Sequence, residues 1–180
     1  MKYIFILIFA FISTNALAQK TLDDLLKQHN DNGVPYISVE ALAMPKTKTT
    51  IFDTREPKEY QVSHLKNAIC VGYDNFDIDS IENLYPNKDE KIVVYCSLGI
   101  RSETIGEKLK KAGYTNVYNL YGGIFEWKNK GFSVIDSEEK ETNKVHTFNK
   151  AWSKWLLKGE KVYEVETQKK DKKKKKKKTE

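Results

Sequence analysis

The fold is decided by the stretch at residues 92–102, which reads Ile-Val-Val-Tyr-Cys-Ser-Leu-Gly-Ile-Arg-Ser. Its first four residues are apolar, with three of them β-branched, and they predict a buried strand. Gly99 allows the following loop to adopt backbone angles that other residues avoid. Arg101 begins a predicted helix over 101–112, which Gly113 closes. A buried strand, a short loop and a helix in this order predict one unit of a parallel sheet.

Cys96 is placed where that strand ends, and its surroundings predict an ionised thiol. The unpaired N–H groups at the start of a helix, the helix dipole and the guanidinium of Arg101 all favour an anion. We therefore predict that Cys96 is a nucleophile with a lowered pKa and that Arg101 helps to bind an anionic substrate beside it. The other predicted substrate-binding residues belong to the loop and the start of the helix: Ser97, Leu98, Gly99, Ile100 and Ser102.

The rest of the chain repeats the alternation of short apolar runs and helical stretches. Five runs predict strands, at 36–39, 49–53, 69–71, 92–95 and 117–120, and helices are predicted at 57–62, 101–112 and 124–129. This alternation predicts an α/β fold, a mainly parallel five-stranded sheet with helices on both faces. Ligands of such sheets bind beyond the carboxyl ends of the strands, where Cys96 falls.

Three motifs occur in order over about residues 36 to 133. The first is Asp-Thr-Arg-Glu-Pro-Lys-Glu-Tyr at 53–60, followed by His-Leu-x-x-Ala at 64–68. The second is Cys-x-x-Gly-x-Arg-Ser at 96–102, and the third is Gly-Gly-x-x-x-Trp at 122–127. Together, these motifs and their order resemble those of the rhodanese-like domain family. One departure is Ser63 before His64, where the family has glycine.

The resemblance implies sulfur transfer without a cofactor or a metal. Cys96 would attack a small anionic donor such as thiosulfate, hold its outer sulfur as a persulfide and pass it to cyanide or a thiol. Arg101 would balance the charge of the donor. Asp53 and Arg55 are expected to form a buried pair, with Arg55 alternatively reaching the pocket, and His64 is expected to be a structural hydrogen-bonding residue.

Three alternatives stay open. A cysteine phosphatase or arsenate reductase also uses a cysteine, an arginine and loop amides, but only four residues separate Cys96 from Arg101 here, one fewer than in the phosphatase loop. A non-catalytic sulfur carrier or interaction module would keep the pocket without turnover. A disulfide between Cys70 and Cys96 would consume the thiol, whereas Cys70 fits better as a small apolar filler.

The N-terminus predicts export. Met1-Lys2-Tyr3 precede an apolar run at 4–12 and an Ala-Leu-Ala site at 16–18. This pattern is typical of a signal peptide, here 1–18, and the run is shorter than the roughly 20 residues that span a bilayer. We expect a periplasmic or extracellular protein whose catalytic cysteine needs a reducing partner protein.

The remaining chain is predicted to contain four parts. They are an N-terminal helix and connector at 19–35, the rhodanese-like domain at 36–133, an extension at 134–168 and a disordered Lys-rich tail at 169–180. In the extension, an amphipathic helix is predicted from the spacing of Phe148, Trp152, Trp155 and Leu156.

The tail dominates the charge of the chain. Its nine lysines against Asp171 and Glu180 exceed the formal net charge of +6, so the domain itself is mildly acidic. Clustered lysines allow contact with an anionic surface. Nucleic acid is not an expected partner, because no aromatic or groove-reading residues are interleaved with the lysines.

Overall fold

The computed structural model describes residues 21–45 and 48–163. The predicted signal peptide at 1–18 and the Lys-rich tail at 169–180 lie outside these described residues and stay predictions. Within the described part of the chain, no helix has the length and apolar character needed to cross a membrane.

The described chain forms six helices, nine strands and one short 3₁₀ turn. The helices are α1 (Leu22–His29), α2 (Val39–Leu42), α3 (Pro57–Val62), α4 (Ile78–Leu84), α5 (Arg101–Lys111) and α6 (Gly123–Asn129). The strands are β1 (Tyr36–Ile37), β2 (Thr50–Asp53), β3 (Ile69–Cys70), β4 (Ile92–Tyr95), β5 (Val117–Leu120), β6 (Val134–Ile135), β7 (Glu141–Thr142), β8 (Lys144–His146) and β9 (Glu160–Val162).

The main sheet has five parallel strands in the order β1-β5-β4-β2-β3. The predicted fold class is therefore confirmed. Strand β4 is central, and all four of its residues are buried. Since side chains alternate along a strand, Ile92 and Val94 pack with Ile105 of α5 on one face, whereas Val93 and Tyr95 pack with Phe125 of α6 on the other.

The connection from β4 to α5 carries the predicted cysteine loop to the carboxyl edge of the sheet. Strand β4 ends at Tyr95, and α5 begins at Arg101, so residues 96–100 form the loop. Helix α6 begins beside this loop. Its Ile124 N–H donates to the Cys96 carbonyl at 2.9 Å, and its Phe125 N–H donates to the Ser97 carbonyl at 3.2 Å. The N–H groups at the start of α6, which have no partner within the helix, therefore bind the backbone carbonyls of the cysteine loop.

The predicted amphipathic helix around residues 148–156 is wrong. Phe148 has a left-handed backbone with φ of 61°, which a helix does not accept, and only a 3₁₀ turn at Ser153–Trp155 follows. Leu156 is already extended, with ψ of 105°. These apolar residues instead belong to the connection between β8 and β9, two strands that pair in parallel.

Helix α4 was not predicted from the sequence. It is short, and Ile81 is its one buried residue, so its hydrophobic periodicity is weak. The available signal was Asp77, whose side chain caps the helix by accepting from the Asp79 N–H at 3.2 Å.

Candidate active site

The Cys96 thiol lies against the backbone of its own loop. The Gly99 N–H donates to Cys96 Sγ at 3.1 Å, and the residue is 2% exposed. Burial alone would raise the pKa of Cys96, but the Arg101 guanidinium and the N–H groups of Ser102 and Gly99 outweigh it. The net effect is a pKa of Cys96 below its ordinary value, so the site favours a thiolate.

Two asparagines anchor Gly99, the residue whose N–H donates to the sulfur. The Gly99 carbonyl accepts from Asn30 Nδ2 at 2.9 Å and from Asn119 Nδ2 at 2.8 Å. The two bonds hold the Gly99–Ile100 peptide, the one directly after the N–H that donates to the sulfur. Gly99 has φ of 106°, an angle that favours glycine.

Arg101 is paired with a buried carboxylate. Its Nη1 and Nη2 donate to the two oxygens of Glu59 at 2.7 and 2.8 Å, and Nη2 also reaches Ser97 Oγ at 3.2 Å. Burial opposes the charge on Glu59, yet the hydrogen bonds and charge of Arg101 keep the pKa of Glu59 below its usual value. The guanidinium charge beside Cys96 is therefore largely balanced within the protein.

A cavity of about 100 Å³ opens onto the thiol. Its walls are mostly apolar, and its lining residues are Cys96, Ser97, Leu98, Ile100, Arg101, Phe148 and Trp152. Five of these residues are predicted site residues of the loop, and the structure brings them together. Gly99 and Ser102 lie outside the lining, where they hydrogen-bond the sulfur and shape the loop.

Asp53, Arg55 and His64 lie outside the cavity. Arg55 is fully buried, and its Nε donates to Asp53 at 2.9 Å while its Nη2 donates to the Ser63 carbonyl at 2.7 Å. This is the arrangement of a structural pair. The His64 ring stacks on Tyr60 with centroids 3.7 Å apart, and its Nδ1 lies 3.0 Å from the Tyr60 carbonyl.

Sequence reasoning missed five residues of the site. Glu59 lay within the first motif and could have been suspected as a buried partner of Arg101. The others had no local signal, because they come together only through the fold: Asn30, Asn119, Phe148 and Trp152.

Neither a metal site nor a disulfide is present in the described part of the chain. No group of three or more His, Cys, Asp or Glu side chains is placed to hold a metal ion there. Cys70 and Cys96 are both free thiols. Burial raises the pKa of Cys70, so the two thiols differ in character.

Comparisons with known proteins agree with the fold. The family model of the rhodanese-like domain matches residues 38–130. A thiosulfate sulfurtransferase from Pseudomonas aeruginosa of known crystal structure has a TM-score of 0.53 and 20% identity, covering 68% of this chain and 23% of that one. At this identity the likeness shows the fold alone.

The curated relatives are more similar in sequence. A tRNA uridine(34) hydroxylase of Erwinia tasmaniensis is 36% identical over 102 residues, which cover 54% of this chain and 29% of that protein. A second tRNA uridine(34) hydroxylase, from Photorhabdus laumondii, is 41% identical over 85 residues, covering 46% of this chain and 24% of that protein. The chain thus spans less than a third of the length of these relatives.

These findings overturn the predicted thiosulfate sulfurtransferase function, whereas the predicted export is not tested by them. The two curated relatives described above are named for tRNA uridine hydroxylation and not for sulfur transfer. The geometry gives a physical reason, because Arg101 was expected to bind the anionic donor and is instead held by both oxygens of Glu59. The same pairing weakens the phosphatase alternative, which needs that guanidinium for phosphate.

Proposed function

Because the chain belongs to the rhodanese-like family, we propose that it is a cysteine-dependent enzyme whose nucleophile is the Cys96 thiolate. The observation that carries this proposal is the Cys96 thiol itself, which accepts the Gly99 N–H at 3.1 Å and has a lowered pKa at the base of a cavity. A thiolate held in this way attacks an electrophile without a separate general base.

For the substrate, we carry over the class in the relatives' name, a uridine of tRNA. Replacing a uracil C–H by C–OH is a two-electron oxidation, so the reaction also needs an oxidant from the cell, for which a peroxide balances by releasing water. The balanced charge of Arg101 and the mostly apolar cavity walls favour a neutral group beside the sulfur over a small inorganic anion. The nine lysines at 169–180 add attraction for a polyanion such as tRNA. This proposal replaces the expectation that nucleic acid is not a partner.

Complementation tests both parts. The full chain is expressed in a bacterial strain lacking its own tRNA uridine(34) hydroxylase, and hydroxyuridine in digested tRNA is measured by mass spectrometry. We expect the chain to restore hydroxyuridine and Cys96→Ser to abolish it. Cys70→Ser, the matched control on the other cysteine, should keep it. No restoration by the unmodified chain contradicts the tRNA substrate, and an active Cys96→Ser protein contradicts the nucleophile.

The predicted signal peptide bears on the substrate, because an exported chain would not meet tRNA. The mass of the N-terminal peptide of the mature protein distinguishes the two expectations. A secreted chain that begins at Gln19 contradicts the tRNA substrate and leaves the role of Cys96 unaffected.

A further inference from the structure

Two aromatic residues that line the Cys96 cavity come from outside the part of the chain that the family model matches. Phe148 and Trp152 line this cavity, whereas the match ends at residue 130. Their rings meet edge to face, with centroids 6.4 Å apart and planes at 89°. The segment after the family domain thus builds one wall of the cavity.

Phe148 is held in a backbone conformation that costs energy. Its φ of 61° is in the left-handed region, which residues other than glycine seldom adopt. Its N–H donates to His146 Nδ1 at 3.1 Å, and His146 itself is 1% exposed. Strained residues of this kind persist where their surroundings hold them and are often found at functional sites.

The wall stands beside a charged side chain that lines the cavity. The Arg101 guanidinium lies 4.9 Å from the centre of the Phe148 ring, close enough for a cation–π contact. Its hydrogen bonds go to Glu59 and Ser97. A small anion entering this cavity would meet aromatic side chains and a cation that is already paired.

We propose that Phe148 and Trp152 are specificity-determining residues, which select substrates whose group beside the reacting atom is flat and uncharged. His146 is the positioning residue that holds Phe148 in place. The proposal rests on Cys96 being the nucleophile of the proposed function, and it names the chemical class of group that this nucleophile meets.

The test uses three reagents that react with the same thiolate and differ only in the attached group. Iodoacetate is anionic, iodoacetamide is small and neutral, and iodoacetanilide is neutral and aromatic. In each reaction the sulfur displaces iodide, forming one C–S bond and breaking one C–I bond. Rates are measured by mass spectrometry on the peptide that contains Cys96.

We expect the unmodified protein to react about fivefold faster with iodoacetanilide than with iodoacetamide, the size expected of one aromatic contact. Iodoacetate should be slowest. Phe148→Ala and Trp152→Ala should each bring the anilide-to-amide ratio towards one. Leu157→Ala is the matched control, because Leu157 belongs to the same segment but is 78% exposed and does not line the cavity.

The positioning role of His146 is tested by a conservative replacement. His146→Asn places an amide oxygen near the site of Nδ1 and should keep the ratio, whereas His146→Leu removes the acceptor for the Phe148 N–H and should lose it. Equal loss in both variants, with circular dichroism unchanged, contradicts this role.

An unchanged ratio in Phe148→Ala and Trp152→Ala overturns the proposal, and so does a Cys96 that none of the three reagents reaches. Failure of the proposed function is distinguishable from these outcomes. It would appear as a Cys96 that reacts with iodoacetamide only at the pH of an ordinary thiol, or as retained tRNA hydroxylation in Cys96→Ser.

Discussion

At the level of single residues, burial of Cys96 opposes ionisation of its thiol, whereas a nearby charge and hydrogen bonds favour it. Burial raises the pKa, while Arg101 and the amides of Ser102 and Gly99 lower it and win. At Cys70 the interactions that favour a thiolate are weaker, and burial raises the pKa of this thiol. The chain therefore carries two thiols with opposite shifts, each of which serves as a reference for the other.

We predict that alkylation of Cys96 by iodoacetamide has its midpoint below pH ~8.5, the ordinary value for a thiol. The midpoint of Cys70 should lie above that value. Peptide mass spectrometry across a pH series measures both in one sample.

A double variant, Glu59→Gln with Arg101→Met, should raise the Cys96 midpoint, because it removes the guanidinium without leaving a lone buried carboxylate. An unchanged midpoint would show that Arg101 does not support the thiolate.

His146 gives a second prediction at this scale, on stability and pH. Burial, together with the charges of Arg55 and Lys58, lowers its pKa, although Glu59 opposes them. The unfolded imidazole, with a pKa of about 6.5, then binds a proton more readily than the folded one. The free energy of unfolding is therefore expected to fall as the pH drops below about 6.5, towards the lowered folded pKa.

His146→Asn should flatten this dependence, because an amide does not titrate. Urea unfolding between pH 7 and 5 measures the difference between the variant and the unmodified protein. Glu59 loses its own contribution only at lower pH, since its pKa is below the usual carboxyl value. Equal slopes for both proteins over this range would contradict the assignment to His146.

Part of the site was predictable from neighbouring residues in the sequence, and the rest depends on contacts between distant parts of the chain. Cys96 begins the loop and Arg101 begins the helix that follows it, five positions on, so the motif alone predicts that they meet. Glu59 lies on another element, 42 positions before Arg101, and Asn119 lies on a third. Their polar atoms are buried together by packing, which a linear pattern does not express.

At the scale of the element, the start of α6 must approach the cysteine loop more closely than a side chain allows. A Cβ on Gly123 would lie 2.2 Å from the Cys96 carbonyl oxygen, and φ at this position is 56°. The Gly-Gly motif was predicted as a family feature. The structure gives its physical reason, since α6 donates its free N–H groups to the loop from this distance.

We predict that Gly123→Ala costs about 3 kcal/mol of unfolding free energy, because strain and a backbone collision add. Gly72→Ala is the matched control, since Gly72 has φ of 70° and a Cβ added there would meet no heavy atom within 4 Å. Strain alone should cost about 1 to 2 kcal/mol there. Urea unfolding measures the loss of unfolding free energy in both variants. Equal losses would show that the backbone of the cysteine loop can move away from a side chain at position 123.

Elements were predicted well where the local sequence pattern is strong. β4 and α3 were placed at the residues where they are observed, because a wholly apolar strand and a proline at a helix start leave little choice. The segment at 148–156 was assigned wrongly, since apolar spacing does not reveal the left-handed turn at Phe148. There the Phe148 N–H donates to Nδ1 of His146, two positions earlier, and the burial of that ring comes from the packing of the folded chain.

At the scale of the whole molecule, the segment after the family domain is part of the same hydrophobic core. Val145 and Leu156 are buried in the cluster that contains Tyr95 and Phe125. Strand β8 also packs against α3, the helix that carries Glu59. The extension therefore contributes both core and cavity wall.

This arrangement makes a prediction for two adjacent leucines of the extension. Leu156 is 1% exposed, whereas Leu157 is 78% exposed. Leu156→Ala should lower the free energy of unfolding by about 2 to 4 kcal/mol, the cost of a cavity in a packed core. Leu157→Ala should change it by less than about 0.5 kcal/mol. Urea unfolding of the full chain measures both.

We expect one unfolding transition, whose midpoint is lowered by Leu156→Ala and not by Leu157→Ala, because the extension and the sheet share one core. A small and equal effect of both substitutions would mean that the extension folds apart from the sheet, and the aromatic wall would then lose its support.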